Sequence, residues 1–337
     1  MIKFLFHFVK SRTALPVFRN LVILTISFSL HANKLTAAVF TSSQSGNWNV
    51  SSTWGGAGVP GASDEVVISV GHTVTLVANT SISGAATING TLDMATFNFT
   101  SGSLIGSGSV TASGSPVLTT GGLNSTTTFS GTLGTGSFSL VLNGTGSLTL
   151  SGSNSFTGGI TLNSTARLNI NHTDALGTGA LTLAGAGCRI DNTSGADLTL
   201  ATNNVVNVNN SFTFLGTHNL TFGTGNVVFT TSRTITLSAN SLRFNGQGVG
   251  NVSADYIITA TGVGTTLAFN GFAITTSGAT SRILTLAGTS NILVSGAITN
   301  GTSSSSSLTY TGTGSLTLSA GNTYTGTTTH NGTGKLN

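Results

Sequence analysis

The sequence predicts an all-β protein: a right-handed parallel β-helix, or β-solenoid, with an N-terminal cap and a signal peptide in front of it. Three observations carry this reading. The stretch from Gly144 to Asn169 returns without a gap at Gly312 to Asn337, with sixteen of 26 positions identical. Self-similarity of that kind marks a repeat architecture. Within each copy, runs such as Leu148-Thr149-Leu150 and Ile160-Thr161-Leu162 alternate apolar with small polar residues, so an extended chain sends one set inward and the other outward. The composition agrees: charged residues are 5% of the chain and glycines number 46, while Val, Ile, Leu and Phe remain plentiful. A disordered chain carries more charge and less of that apolar set.

At the N-terminus, Lys3, Lys10, Arg12, Arg19 and Lys34 flank the apolar run Leu21 to Leu30, which small residues follow at Thr36-Ala37-Ala38. That is the order of a signal peptide over residues 1–38, and the run is shorter than the ~20 residues a spanning helix needs. Cleavage is expected between Ala32 and Ala38. It makes the mature protein secreted or displayed on the outer cell surface. Without those five basic residues, six remain against seven acidic ones. A nucleic-acid partner loses its electrostatic basis.

Residues 39–80 are expected to form the cap and first coils. They hold both tryptophans, Trp48 and Trp54. The first coil of a solenoid lacks a neighbour on one side, and large aromatics close such an end. A carbohydrate-stacking Trp pair is the alternative. From residue 81 to 337 short strands follow in quick succession. Leu-Thr-Leu and its variants begin at Leu148, Leu181, Leu198, Leu220, Ile235, Leu284 and Leu316, with successive gaps mostly near multiples of 16 or 17. The expectation is coils of about 16 to 24 residues, ~15 of them, in a rod ~70 Å long. Ser303 to Ser307 reads as a loop. The single Cys188 excludes an internal disulfide and reads as a small packing residue.

Gly144, Gly146, Leu148, Thr149, Leu150, Gly152, Asn154, Phe156, Thr157, Gly158 and Leu168 together resemble the autotransporter-associated β-strand repeat. Most of their counterparts from Gly312 do so as well. The segment from Ser45 through Trp48, Trp54, Val59-Pro60, Asp64 to Ile68 and Gly71 to Thr75 is similar to the opening of exported β-helical proteins of Bacteroidetes-type bacteria. These resemblances imply a β-helical passenger region of an exported bacterial surface protein. The chain stops at Asn337, where the first copy continues into Ile170, so a C-terminal truncation is expected.

Chemistry is sparse. The one concentration of ionisable residues is His172, Asp174, Arg189, Asp191 and Asp197, where Asp174 and Asp191 are 17 apart, about one coil, and would stack. Polysaccharide lyases and hydrolases need such carboxylates clustered with a base or calcium. Ordinary charges on a solvated face are the competing explanation. No catalytic, cofactor-binding or metal residue is assigned, the histidines being scattered singly. The expected role is a non-catalytic structural or adhesin-like solenoid whose partners are glycans or neighbouring cell surfaces. A polysaccharide-binding or polysaccharide-degrading β-helix is the alternative. Ice binding by flat threonine rows is disfavoured by the irregular coil length.

Overall fold

The computed structural model describes residues 37–337; the predicted signal peptide and its cleavage region fall almost wholly outside them. The described chain is a parallel β-solenoid of about 13 turns, and a 3-10 turn at Ser51–Trp54 accompanies its strands. Each complete turn visits three faces in order. After Glu65–Ile68 on the first face come Thr73–Thr75 on the second and Thr80–Ser81 on the third, and the chain returns at Ala85–Ile88, where Val66 pairs with Ala86 in parallel register. The third face is one continuous sheet of eleven strands, from Thr80–Ser81 to Ile298–Gly301. The first is a sheet of four and one of ten, linked by a bridge between Gly106 and Phe129.

Strands form because the alternation is honoured. Leu148, Leu150, Leu168, Ile170 and Ile190 are buried, while Thr149 between them faces out half-exposed. Stacking repeats that inward set in every turn, and the result is a single apolar column rather than a core at one place. Partners on the first face lie closest in sequence where Ala86 stacks on Leu104, and farthest apart where Ile258 stacks on Leu286. At the ~4.8 Å of one ladder step the stack is about 60 Å long.

Most intervals between first-face partners fall within the about 16 to 24 residues expected from the sequence; the longest turns exceed it, and the turns number about 13 where ~15 were expected. The runs at Leu148, Ile235 and Leu284 lie on the first face, those at Leu198, Leu220 and Leu316 on the second, and Leu181 on the third. Distances between them mix whole turns with fractions of a turn. The internal repeat shows the same thing. Leu148 stacks on Leu168 on the first face, whereas Leu316 stacks on Leu336 on the second. The asparagine that closes each copy donates to the threonine one turn below, Asn169 to Thr149 and Asn337 to Thr317. Each copy is therefore one closed turn, entered from a different face.

Asn154 explains how such a short turn is possible. No second-face strand separates Ser147–Leu150 from Ile160–Leu162. In its place the buried Asn154 side chain accepts from the Leu133 N–H at 2.8 Å and donates to the Ala175 carbonyl at 2.7 Å. Its counterpart Asn322 accepts from the Ile298 N–H at 2.9 Å. One amide thus replaces a missing ladder across three turns. Asn154→Ala is expected to lose about 2 kcal/mol, because it orphans a buried donor and a buried acceptor. A denaturant melt of the variant measures this, and a loss below about 0.5 kcal/mol counts against the amide ladder.

Trp48 and Trp54 are 5% and 2% exposed, with ring centres 5.1 Å apart edge to face. Trp54 Nε1 donates to the Trp48 carbonyl, and Trp48 packs 5.5 Å from Phe99. Their faces are spent on the first turns. This disposes of the sugar-stacking alternative for the pair.

Candidate functional site

The five ionisable residues singled out by sequence lie on the first face and the corner after it, and they separate into three arrangements. Asn169 pairs with Asp191, and Arg167 with Arg189, one turn apart. Asp191 therefore stacks on Asn169 and not on Asp174, because one turn here takes the whole interval from Asn169 to Asp191. The Asp191 side chain is 0% exposed. Its Oδ2 receives Arg167 Nη2 at 2.7 Å and the Thr217 hydroxyl at 2.7 Å, and its Oδ1 accepts the Thr217 N–H at 2.9 Å. Arg167 Nε donates to Asn169 Oδ1, and Asn169 Nδ2 to the Thr149 hydroxyl. These groups form one polar network through four turns, with every Asp191 oxygen occupied. Such a carboxylate fastens the stack, and its enclosure leaves no face open to a substrate.

Asp174 and His172 sit in the corner beyond. His172 Nδ1 lies 3.7 Å from Asp174 Oδ2, yet the same nitrogen accepts the Asp174 N–H at 3.1 Å. That contact closes the corner, so the pair is a turn device. Ser153 donates its hydroxyl to Asp174 at 3.3 Å. Asp197 is bound at both oxygens by Asn219, whose side-chain amide and backbone N–H hold the carboxyl below its ordinary 3.8. That contribution to stability is present above the unfolded value and fades as pH falls through the lower folded one. Among the described residues no three of His, Cys, Asp and Glu gather into a metal-holding group.

Sequence reasoning missed Arg167. A groove of about 220 Å3 is lined by Asn124, Thr126, Thr145, Gly146, Ser147, Arg167 and Arg189. Its two guanidiniums come from adjacent turns in register. The signal was present in the ladder Ser147, Arg167, Arg189, but reading it needed the true length of each of those two turns.

The third face presents a straight outer row: Thr100, Thr119, Val141, Thr161, Thr182, Asn207, Val228, Val249, Ala273 and Thr299, paired turn on turn. Variation in turn length falls in the corners and leaves this row in register. Irregular coils are thus no argument against a lattice-matched surface. What interrupts a threonine row is its Val, Asn and Ala members.

Cys188 is wholly buried, and burial pushes its thiol up from 9.0 to about 11. Alkylation at pH 8 is expected to run on the order of 100-fold slower in the folded protein than in denaturant, from thiolate fraction alone. Between pH 9 and 11 the unfolded chain releases this proton first, so the group costs stability as pH rises there. A thiol that reacts equally fast in both states contradicts its place in the stack. Comparison of the chain with protein-family models, with curated proteins and with solved structures returns no match.

Proposed function

We propose that the chain is the solenoid region of an exported surface or secreted protein with a structural or adhesin-like, non-catalytic role toward glycans. The observation that carries this is the use made of Asp191. It is the most enclosed carboxylate of the candidate cluster, and both its oxygens are bonded, by Arg167 and Thr217. Asp197 is held at both oxygens by Asn219, and the more exposed Asp174 accepts the Ser153 hydroxyl at one. General acid–base chemistry needs a carboxyl free to reach a substrate proton, and this cluster spends its carboxyls on holding turns together.

Two further features support the reading. The resemblance of Gly144 to Asn169 and Gly312 to Asn337 to autotransporter-associated repeats favours an exported passenger region. The Thr and Asn members of the third-face outer row, Thr100, Thr119, Thr161, Thr182, Asn207 and Thr299, offer hydrogen bonds of modest strength to hydroxyl-rich polymers.

The test incubates the purified protein with plant, algal and bacterial polysaccharides and scores both retention and cleavage products. Retention without cleavage is expected. Cleavage that disappears in Asp174→Asn or Asp197→Asn overturns the non-catalytic role. Asp191 is unsuited to this purpose, since its loss disturbs the stack itself.

A further inference from the structure

We infer that the groove of Arg167 and Arg189 is a binding site for the negatively charged group of an acidic polysaccharide, a uronate carboxylate or a sulfate ester. The inference rests on the glycan-directed reading above and names the charge of the glycan. Three observations lead to it.

The first is an imbalance of charge. Arg167 and Arg189 project from adjacent turns, and Asp191 is bonded to Arg167. Among the described residues Arg189 has no carboxylate partner within an ion-pair distance. The second is the state of the Arg189 head. Its Nε is enclosed with no acceptor, and its Nη2 leans on the carbonyls of Thr165 at 3.2 Å and Thr145 at 3.4 Å. By contrast Arg167, Arg233 and Arg243 each donate through Nε, to Asn169 Oδ1, the Val208 carbonyl and Asn245 Oδ1. Arg282 Nε also lacks an acceptor, but Arg282 is not part of this groove and has no second arginine stacked in register beside it. A small swing of the Arg189 guanidinium into the groove exchanges an unsatisfied N–H and two long neutral contacts for a planar anion. Guanidinium binds such an anion bidentately.

The third observation concerns the walls. Asn124, Thr126, Thr145 and Ser147 surround the cations with hydroxyls and an amide, and no aromatic or large aliphatic side chain lines the groove. Its ~220 Å3 suits a single sugar unit of a longer chain, with the rest of the polymer outside. Hydroxyl and amide walls match sugar hydroxyls, whereas an acidic peptide brings apolar side chains that find no contact here. The amide of Asn124 is already placed, its Oδ1 accepting the Thr145 N–H at 2.7 Å.

The experiment measures retention of the protein on immobilised polygalacturonate and on a sulfated galactan. Methyl-esterified polygalacturonate and the desulfated galactan supply the same backbones without charge. Arg189→Gln removes the cation and keeps Asp191 paired, and Arg243→Gln removes one equal charge elsewhere. Expected are tighter binding to at least one charged polymer than to its neutral form, a weakening of about 10-fold or more in Arg189→Gln, and no change in Arg243→Gln. Added salt should weaken the charged-polymer binding. Equal binding of charged and neutral forms, or equal weakening in both variants, overturns the assignment, as does full displacement by millimolar inorganic phosphate. Cleavage of the polymers instead defeats the non-catalytic reading, and the two failures are told apart by their products. A thermal melt confirms that Arg189→Gln is folded.

Discussion

Arg167→Ala is expected to destabilise the solenoid by about 3 kcal/mol, the lower end of what breaking a buried ion pair costs. The asymmetry of the pair sets the size. Arg167 is 30% exposed at its side chain and Asp191 is 0% exposed. Removing arginine therefore leaves an enclosed carboxylate without its counter-charge, whereas the arginine itself has partial access to solvent. Two donors from Thr217 stay on Asp191, which keeps the loss from the upper end. The same substitution frees Asn169 Oδ1, so the network toward Thr149 loosens as well.

A second variant separates charge from packing. Arg167→Met combined with Asp191→Asn removes both charges and keeps most of the volume, and it should recover more than half of the loss. Denaturant midpoints of the single and double variants give the answer. A change below about 1 kcal/mol in Arg167→Ala means that Asp191 is not held by this ion pair in solution, and the structural role assigned to it fails with that result.

How much of this was legible beforehand depended on whether a feature is local. The strand phase of Leu148 to Leu150 and the turn at Asn154 are written in neighbouring residues, and the parallel stack follows from repeating them. The phase of the turns is not local. The constant offset between the two copies looks like a whole number of coils, yet Leu148 stands on the first face and Leu316 on the second. Corners absorb insertions at little cost, since a few more residues in a surface loop change its closure entropy only slightly. Stacking partners outside the clear repeats are thus fixed by the accumulated corner lengths. This is why spacing alone matches Asp191 to Asp174 in place of Asn169, and why it gives no sign of Arg167, which precedes Asn169 on the same strand. Charge pattern within the sequence points to the right stretch; three-dimensional neighbours decide what the charges do.

Gly131→Ala is expected to cost about 3 kcal/mol or to open the turns around it, although the change adds one methyl group. Gly90, Gly108, Gly131 and Gly152 form a column at the corner between the first and second faces. A Cβ on Gly108 would strike the Gly90 carbonyl oxygen, one on Gly131 that of Gly108, and one on Gly152 that of Gly131. Neither side can yield cheaply. The Gly108 oxygen already accepts the Thr132 N–H at 2.9 Å, so pushing it aside also breaks the bond that starts the next second-face strand. Parallel strands keep a spacing of ~4.8 Å, and the turn below is fixed by its own ladder. Gly122 provides the control, because a Cβ there meets nothing within 4 Å and its φ is not in the left-handed region. Gly122→Ala should change stability by less than about 0.5 kcal/mol, or raise it slightly by restricting the unfolded chain. Denaturant melts compare the two, and hydrogen exchange over residues 108–152 locates the damage. Equal stability of the two variants would show that the corner has room the stacked glycines deny, and that glycine is present there for turn geometry alone.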